Sequence, residues 1–210
     1  MTFPFLLTQQ LLSALVLSFF LLTFLADPVL AHHPFGMGNS SDLSVLQSLL
    51  SGFGHPLLGP DHLLFMLGIA LVGLKKTKQW VLPLLGVGLA GSALVHLQPL
   101  PDLLSPWAEA LVSLSLAIEG LIVLNIFSAK WLFPMFALHG YLLGSTIIGA
   151  EPSPLIGYFF GLLLSQGSLL LLITIVSNQV INMLGANGRN LMAGIWIGIG
   201  LAFSWGAIIP

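Results

Sequence analysis

Apolar residues run almost unbroken from Leu11 to Ala26, and six further apolar segments follow at about 43–74, 80–97, 106–127, 131–149, 155–178 and 190–208. All but the first of these six are close to the ~20 residues that a helix needs to cross ~30 Å of hydrocarbon. The first is too long for one straight span, and Gly52, Gly54, Pro56, Gly59 and Pro60 interrupt it. The pattern predicts a short helix from Leu43 to Phe53, a break, and a second helix from Pro60 to Leu74. Pro60 suits a first helical turn, where its missing N–H loses no intrahelical bond. Broken backbone at membrane depth is tolerated only where it is buried in protein or lines a cavity. Gly/Pro-interrupted segments are therefore pointers to a transporter's binding site. The predicted fold class is all-α: a polytopic transmembrane bundle of six spans, the first broken at Gly/Pro.

Composition agrees. Only 6% of the residues are charged against 57% hydrophobic, where a soluble chain carries roughly 25% charged residues. A chain of 210 residues holds these spans and no separate soluble domain of useful size. No basic patch is present, so no nucleic-acid partner is expected. The chain has no cysteine, which excludes disulfides, thiolate metal sites and cysteine nucleophiles.

The charges set an orientation. Lys75, Lys76 and Lys78 follow the first segment, Lys130 lies between the third and fourth, and Arg189 between the fifth and sixth. All five basic residues thus fall on alternate loops, which the positive-inside rule places in the cytoplasm. Asp42, Asp102 and Glu151 lie on the opposite loops. The expected location is the plasma (inner) membrane, with the mature N-terminus and Pro210 facing outward. The run Leu11–Ala26 is followed by Asp27-Pro28-Val29-Leu30-Ala31, in which Val29 and Ala31 are spaced like the end of a signal peptide cleaved after Ala31. The expected organisation is a cleaved segment 1–31 followed by one transmembrane domain, 32–210, with an uncleaved first helix as the alternative.

The chemistry concentrates in His55-Pro56-Leu57-Leu58-Gly59-Pro60-Asp61-His62. Ionisable side chains are expensive inside a bilayer, so their presence there is by default a functional hypothesis. Imidazole with carboxylate suits divalent first-row metals such as nickel, cobalt and zinc. His55 precedes the break and His62 follows it, so folding at the break can bring them together. Asp61 either ligates directly or fixes a histidine tautomer from behind. By the assigned topology His96 and His139 also fall in the central or outer membrane, with Glu119 near the middle of the third segment, and all three join the candidate ligands. Met66, one turn from His62, reads as core and Glu109, close to Pro106-Trp107, as an interfacial residue. Asn125 and Gln166 are further polar groups in the third and fifth segments. Cleavage after Ala31 would leave His32 and His33 beside a free α-amine, either a capture site for a metal ion or a plain polar N-terminus. Glycines at three- or four-residue spacing, among them Gly86, Gly88, Gly91, Gly157, Gly161, Gly194 and Gly198, read as places where helices approach closely.

The motif His55-Pro56-x-x-Gly59-x-Asp61-His62, followed by an apolar helix, resembles the signature of the HupE/UreJ family. His32-His33-Pro34, Leu138-His139-Gly140 and Gly149-Ala150-Glu151-Pro152 fit the same family, and the resemblance covers essentially the whole chain. It implies a secondary permease for nickel or cobalt, associated with hydrogenase, urease or cobalamin metabolism. It implicates His55, Asp61 and His62 in metal recognition, with His139 beside them. The motif is also similar to the H-x4-D-H pattern of nickel/cobalt permeases, with H-x5-D-H here. The chain departs from relatives that carry a richer His/Glu cluster after the fourth-helix His-Gly: Tyr141, Leu142, Leu143, Gly144 and Ser145 follow instead.

The expected function is uptake of a divalent ion, Ni2+ or Co2+, through a His/Asp site near the midplane. The ion is cargo and no resident cofactor is expected. Its partners are the metal ion and the lipid bilayer, with a homo-oligomer left open. Two other classes remain: an intramembrane metal-dependent hydrolase, in which bound metal activates water, and a haem protein using paired histidines such as His62 and His139.

Overall fold

The computed structural model describes residues 43–74 and 77–209, and among them no strand occurs. The helices are α1 (Val45–Leu58), α2 (Pro60–Val72), α3 (Thr77–Leu97), α4 (Ser105–Val123), α5 (Leu132–Ser145) and α6 (Pro152–Ile208), with short 3-10 turns at Asp102–Leu104 and Ala129–Trp131. The expected signal segment, His32 and His33 lie outside the described residues.

Helix α1 opens with a capping box. The Ser44 hydroxyl accepts from the Gln47 backbone N–H while the Gln47 side chain accepts from the Ser44 N–H at 2.9 Å. The break does not fall where the sequence pattern put it. The helix continues through Gly52, Gly54 and Pro56 to Leu58, and the chain bends by 64° at Gly59. Pro56 is tolerated because it sits in the last turn, where its missing N–H forfeits only the bond to the carbonyl of Gly52. Gly52 serves packing: a Cβ there would overlap the carbonyl oxygen of Tyr158 on α6. Pro60 occupies the first turn of α2 as expected, and the helix stops at Val72 because Gly73 adopts φ 74°.

A second departure concerns Asn125. It is not inside a span but in the turn after α4, exposed, with φ 61°. The Asn125 N–H donates to the Ile122 carbonyl and the Ile126 N–H to the Leu121 carbonyl, each at 2.9 Å. That is the Schellman pairing, with asparagine tolerating the left-handed residue that usually requires glycine. A third concerns the last two segments, which are joined with a single non-helical residue, Gly185 (φ 62°, ψ −177°), between them.

The contacts of α6 show that the chain reverses at Gly185. Before it, Ser177 donates to the Ala70 carbonyl. After it, Arg189 donates to the carbonyls of Leu71 and Val72, and Trp196 to that of Leu64, so this half runs back along α2. In the first half, Gly157 meets Val45 and Gly161 meets Leu49 and Gly52, so it runs parallel to α1. Helices α3 and α5 are also parallel and in contact, with Gly140 against the backbone of Gly88 and Gly144 against Ser92. Gly88, Gly91, Gly157 and Gly161 thus stand at helix crossings as expected, whereas Gly86, Gly194 and Gly198 face open space.

By length and composition three described helices can cross a membrane, α3 from Gln79, α4 and α6, and the bent pair α1–α2 makes a fourth if it is one span. The exterior fits hydrocarbon, with Leu82, Ile156, Ile175 and Leu191 all exposed. Over the described residues the protein is an all-helical membrane protein. Its main core lies between α2, α3, α4, α5 and α6, around Phe65, Ile69, Leu84, Leu116 and Phe136.

Candidate metal-binding site

The bend at Gly59 places His55, in the last turn of α1, against Asp61 and His62, in the first turn of α2. His55 and His62 are both buried, their ring centroids 5.8 Å apart and nearly perpendicular. Two imidazoles on one ion, each bound at ~2.0–2.1 Å, have centroids roughly 4.5–6.5 Å apart, so this spacing fits a shared ion.

One set of ring-proton positions satisfies the neighbouring groups of both histidines. The Ser115 hydroxyl donates to the Val112 carbonyl, which can only accept. Its oxygen, 2.7 Å from His139 Nε2, therefore accepts the Nε2–H. His139 Nδ1 is then the acceptor in the 2.7 Å contact with His62 Nδ1, and His62 donates. That leaves the lone pair of neutral His62 on Nε2, as a ligand requires. His139 is held by stacking on Phe65, with ring centroids 4.0 Å apart.

The same logic applies to His55. The hydroxyls of Tyr158 and Thr146 both donate to the Leu143 carbonyl. Their oxygens, 3.2 Å and 3.4 Å from His55 Nδ1, accept its Nδ1–H. The lone pair of His55 is again on Nε2. The Thr146 and Tyr158 hydroxyls behind His55, and the His139 imidazole behind His62, thus take the part that a carboxylate often takes behind a metal-binding histidine.

His55, Asp61 and His62 line one cavity of about 490 Å3 together with Glu109 of α4. Two carboxyl side chains and no Lys or Arg contribute to its wall, so its field favours cations. Its other polar walls include Ser105, Ser113 and Ser145. Glu109 reads in the sequence as interfacial, yet the structure places it in this wall. The signal was available: Ser105, Glu109 and Ser113 recur every four residues, a polar stripe on one face of α4. The pairing of Tyr158 with His55 had no such signal, since a tyrosine on an apolar helix reads as core.

Other candidates fall elsewhere. His139 touches His62 but lies in the wall of a separate small cavity with Met66 and Gln166. His96 is half-buried near the end of α3, its ring 6.0 Å from that of Phe159, and does not line the large cavity. Glu119 is fully buried one turn beyond Ser115, where Gly68 makes room for its carboxyl and Trp196 lies beside it. Neither of its oxygens has a hydrogen-bond partner of good geometry. The expectation that His96 and Glu119 converge with the motif histidines is not met in this conformation. Among the described residues no three His, Asp or Glu side chains meet closely enough to hold a metal ion together. The geometry offers two imidazole nitrogens in an acidic cavity, a set that leaves a bound ion part of its water.

A family model described as HupE / UreJ protein matches residues 20–203. No curated protein and no solved structure matches the chain.

Proposed function

The chain belongs to the HupE/UreJ family, a family of metal transporters, and from that premise we propose that it is a secondary transporter carrying Ni2+ or Co2+ inward through the His55–Asp61–His62 site. The observation that carries this reading is the pair of buried imidazoles on either side of the Gly59 bend, 5.8 Å apart between ring centroids, in the wall of an acidic cavity. Asp61 and Glu109 raise the local concentration of cations, and the two nitrogens favour a first-row transition ion over a hard cation that demands six or more oxygens. Incomplete coordination suits transport, because an ion must be bound well enough to enter and weakly enough to leave.

This reading takes the chain to cross six times: α1 with α2, α3, α4, the shorter α5, and the two halves of α6. Lys130 and Arg189 then face the cytoplasm and the large cavity opens outward. In this reading residues 1–31 are a signal segment, 32–210 form one domain in the plasma membrane, and His32 and His33 act as an outer capture point.

The test is metal accumulation in cells lacking their own nickel and cobalt permeases. His55→Ala, Asp61→Ala and His62→Ala should each cut uptake by at least tenfold at unchanged membrane level, because no further imidazole lines the cavity and, without Asp61, Glu109 is the one carboxyl group left in its wall. Uptake by His62→Ala at the parent rate would overturn the proposal.

A further inference from the structure

Gln166 of α6 is 2% exposed, and its side-chain oxygen has no hydrogen-bond partner. Buried polar atoms are almost always paired, so an orphan acceptor calls for a specific reason. It lines a separate cavity of about 10 Å3 whose wall also holds Met66, His62 and His139. That volume is about what one water-sized occupant fills. Gly88 helps to keep the space open: a Cβ there would come within 2.7 Å of the Phe136 ring and 3.2 Å of the Gln166 oxygen. His62 belongs to the walls of both this cavity and the large acidic one. Its hydrogen bond to His139 therefore stands at the partition between a roomy vestibule and a chamber for a single small occupant.

We propose that this inner chamber is a second, dehydrated station for the transported ion, with the Gln166 amide oxygen, the Met66 thioether and, once the His62–His139 contact opens, His139 Nδ1 as its ligands. The inference rests on the transport reading and extends it past the motif. An ion on His62 Nε2 in the vestibule moves inward when the His62–His139 contact opens, and there meets an oxygen and a sulfur in place of water. Amide oxygen, thioether and imidazole together suit a borderline transition ion. Mg2+ and Ca2+ require six or more oxygen ligands and keep water reluctantly surrendered, so the chamber rejects them. Selectivity is then exercised at Gln166 and Met66, after capture, whereas His55, Asp61 and Glu109 govern capture itself.

Gln166→Leu removes the oxygen at similar volume, and Met66→Leu removes the sulfur. Each should lower cobalt uptake in cells by about tenfold. Cobalt(II) binding to the purified protein at the vestibule should stay within twofold of the parent, because its ligands are untouched. The visible cobalt(II) spectrum of the loaded parent should lose its thioether contribution in Met66→Leu. Melting temperatures should not fall, since Gln166→Leu removes an orphan acceptor and Met66→Leu conserves volume. If Gln166→Leu nevertheless misfolds, Met66→Leu carries the test alone. Parent-level uptake by both variants would overturn the inner station and assign the chamber to a structural water. That result is distinct from failure of the transport reading, which shows as parent-level uptake in His62→Ala.

Discussion

Replacing Ser115 by alanine removes a hydroxyl outside the vestibule wall, yet it acts on the proposed ligand nitrogen of His62, two residues away in the hydrogen-bond chain. Without the Ser115 oxygen, the Nε2–H of His139 is left unpaired in a buried site, at a cost of about 1–3 kcal/mol. The alternative is that His139 moves its proton to Nδ1, which forces His62 to protonate on Nε2 and lose its lone pair from the vestibule. The second course avoids the unpaired group, so Ser115→Ala should weaken cobalt(II) binding by about tenfold, which corresponds to about 1.4 kcal/mol, and lower uptake in proportion, whereas the first would show as lost stability with binding unchanged. Equilibrium binding to the purified protein checks this. His55, Asp61 and His62 were legible in the sequence because ionisable groups within an apolar run stand out. Ser115, Thr146 and Tyr158 were not, because hydroxyls on apolar helices usually bond to their own backbone and carry no mark of a distant partner. Glu119 and His96 show the converse. Both stand out by type, but the helix faces that carry them turn away from the vestibule.

Between helices, glycine position decides what is tolerated. Gly140 on α5 lies against the backbone of Gly88 on α3, so a methyl group has no space and neither backbone can yield cheaply. Gly140→Ala should destabilise the protein by about 1–3 kcal/mol, the usual cost of overpacking. It should also displace His139, its neighbour in sequence. Gly194 faces open space, and Gly194→Ala should change stability by no more than about 0.5 kcal/mol. Thermal unfolding of the two variants in the same detergent provides the comparison. Spacing alone put Gly88, the partner of Gly140, in one class with Gly194. The distinction depends on which helix face meets a neighbour, and a uniformly apolar helix gives no periodic signal for that. The same limitation misplaced the break in the first segment: glycines at 52 and 54 read as helix breakers, but Gly52 meets α6, and only Gly59 bends the chain.

At the scale of the whole molecule, the sign of charge and the direction of the helices agree. The parallel pairs α1 with the first half of α6, and α3 with α5, are what a chain crossing alternately requires when its basic residues stay on one side. Arg189 reinforces this end by donating to the last carbonyls of α2, where the helix has no N–H donors of its own. The acidic vestibule lies at the other end, where α4 begins and α6 finishes. Because the chain contains no cysteine, single cysteines report sidedness without background. Ser128→Cys and Asn187→Cys, exposed beside Lys130 and Arg189, should react with an impermeant maleimide only after the membrane is opened. Leu103→Cys and Glu151→Cys, exposed at the opposite turns, should react in intact cells. Added cobalt should leave all four rates unchanged, since none of these positions lines the vestibule. Labelling of Ser128→Cys from outside would reverse the orientation, turn the acidic vestibule toward the cytoplasm, and make the same two histidines the exit of an efflux path instead of the entrance for uptake.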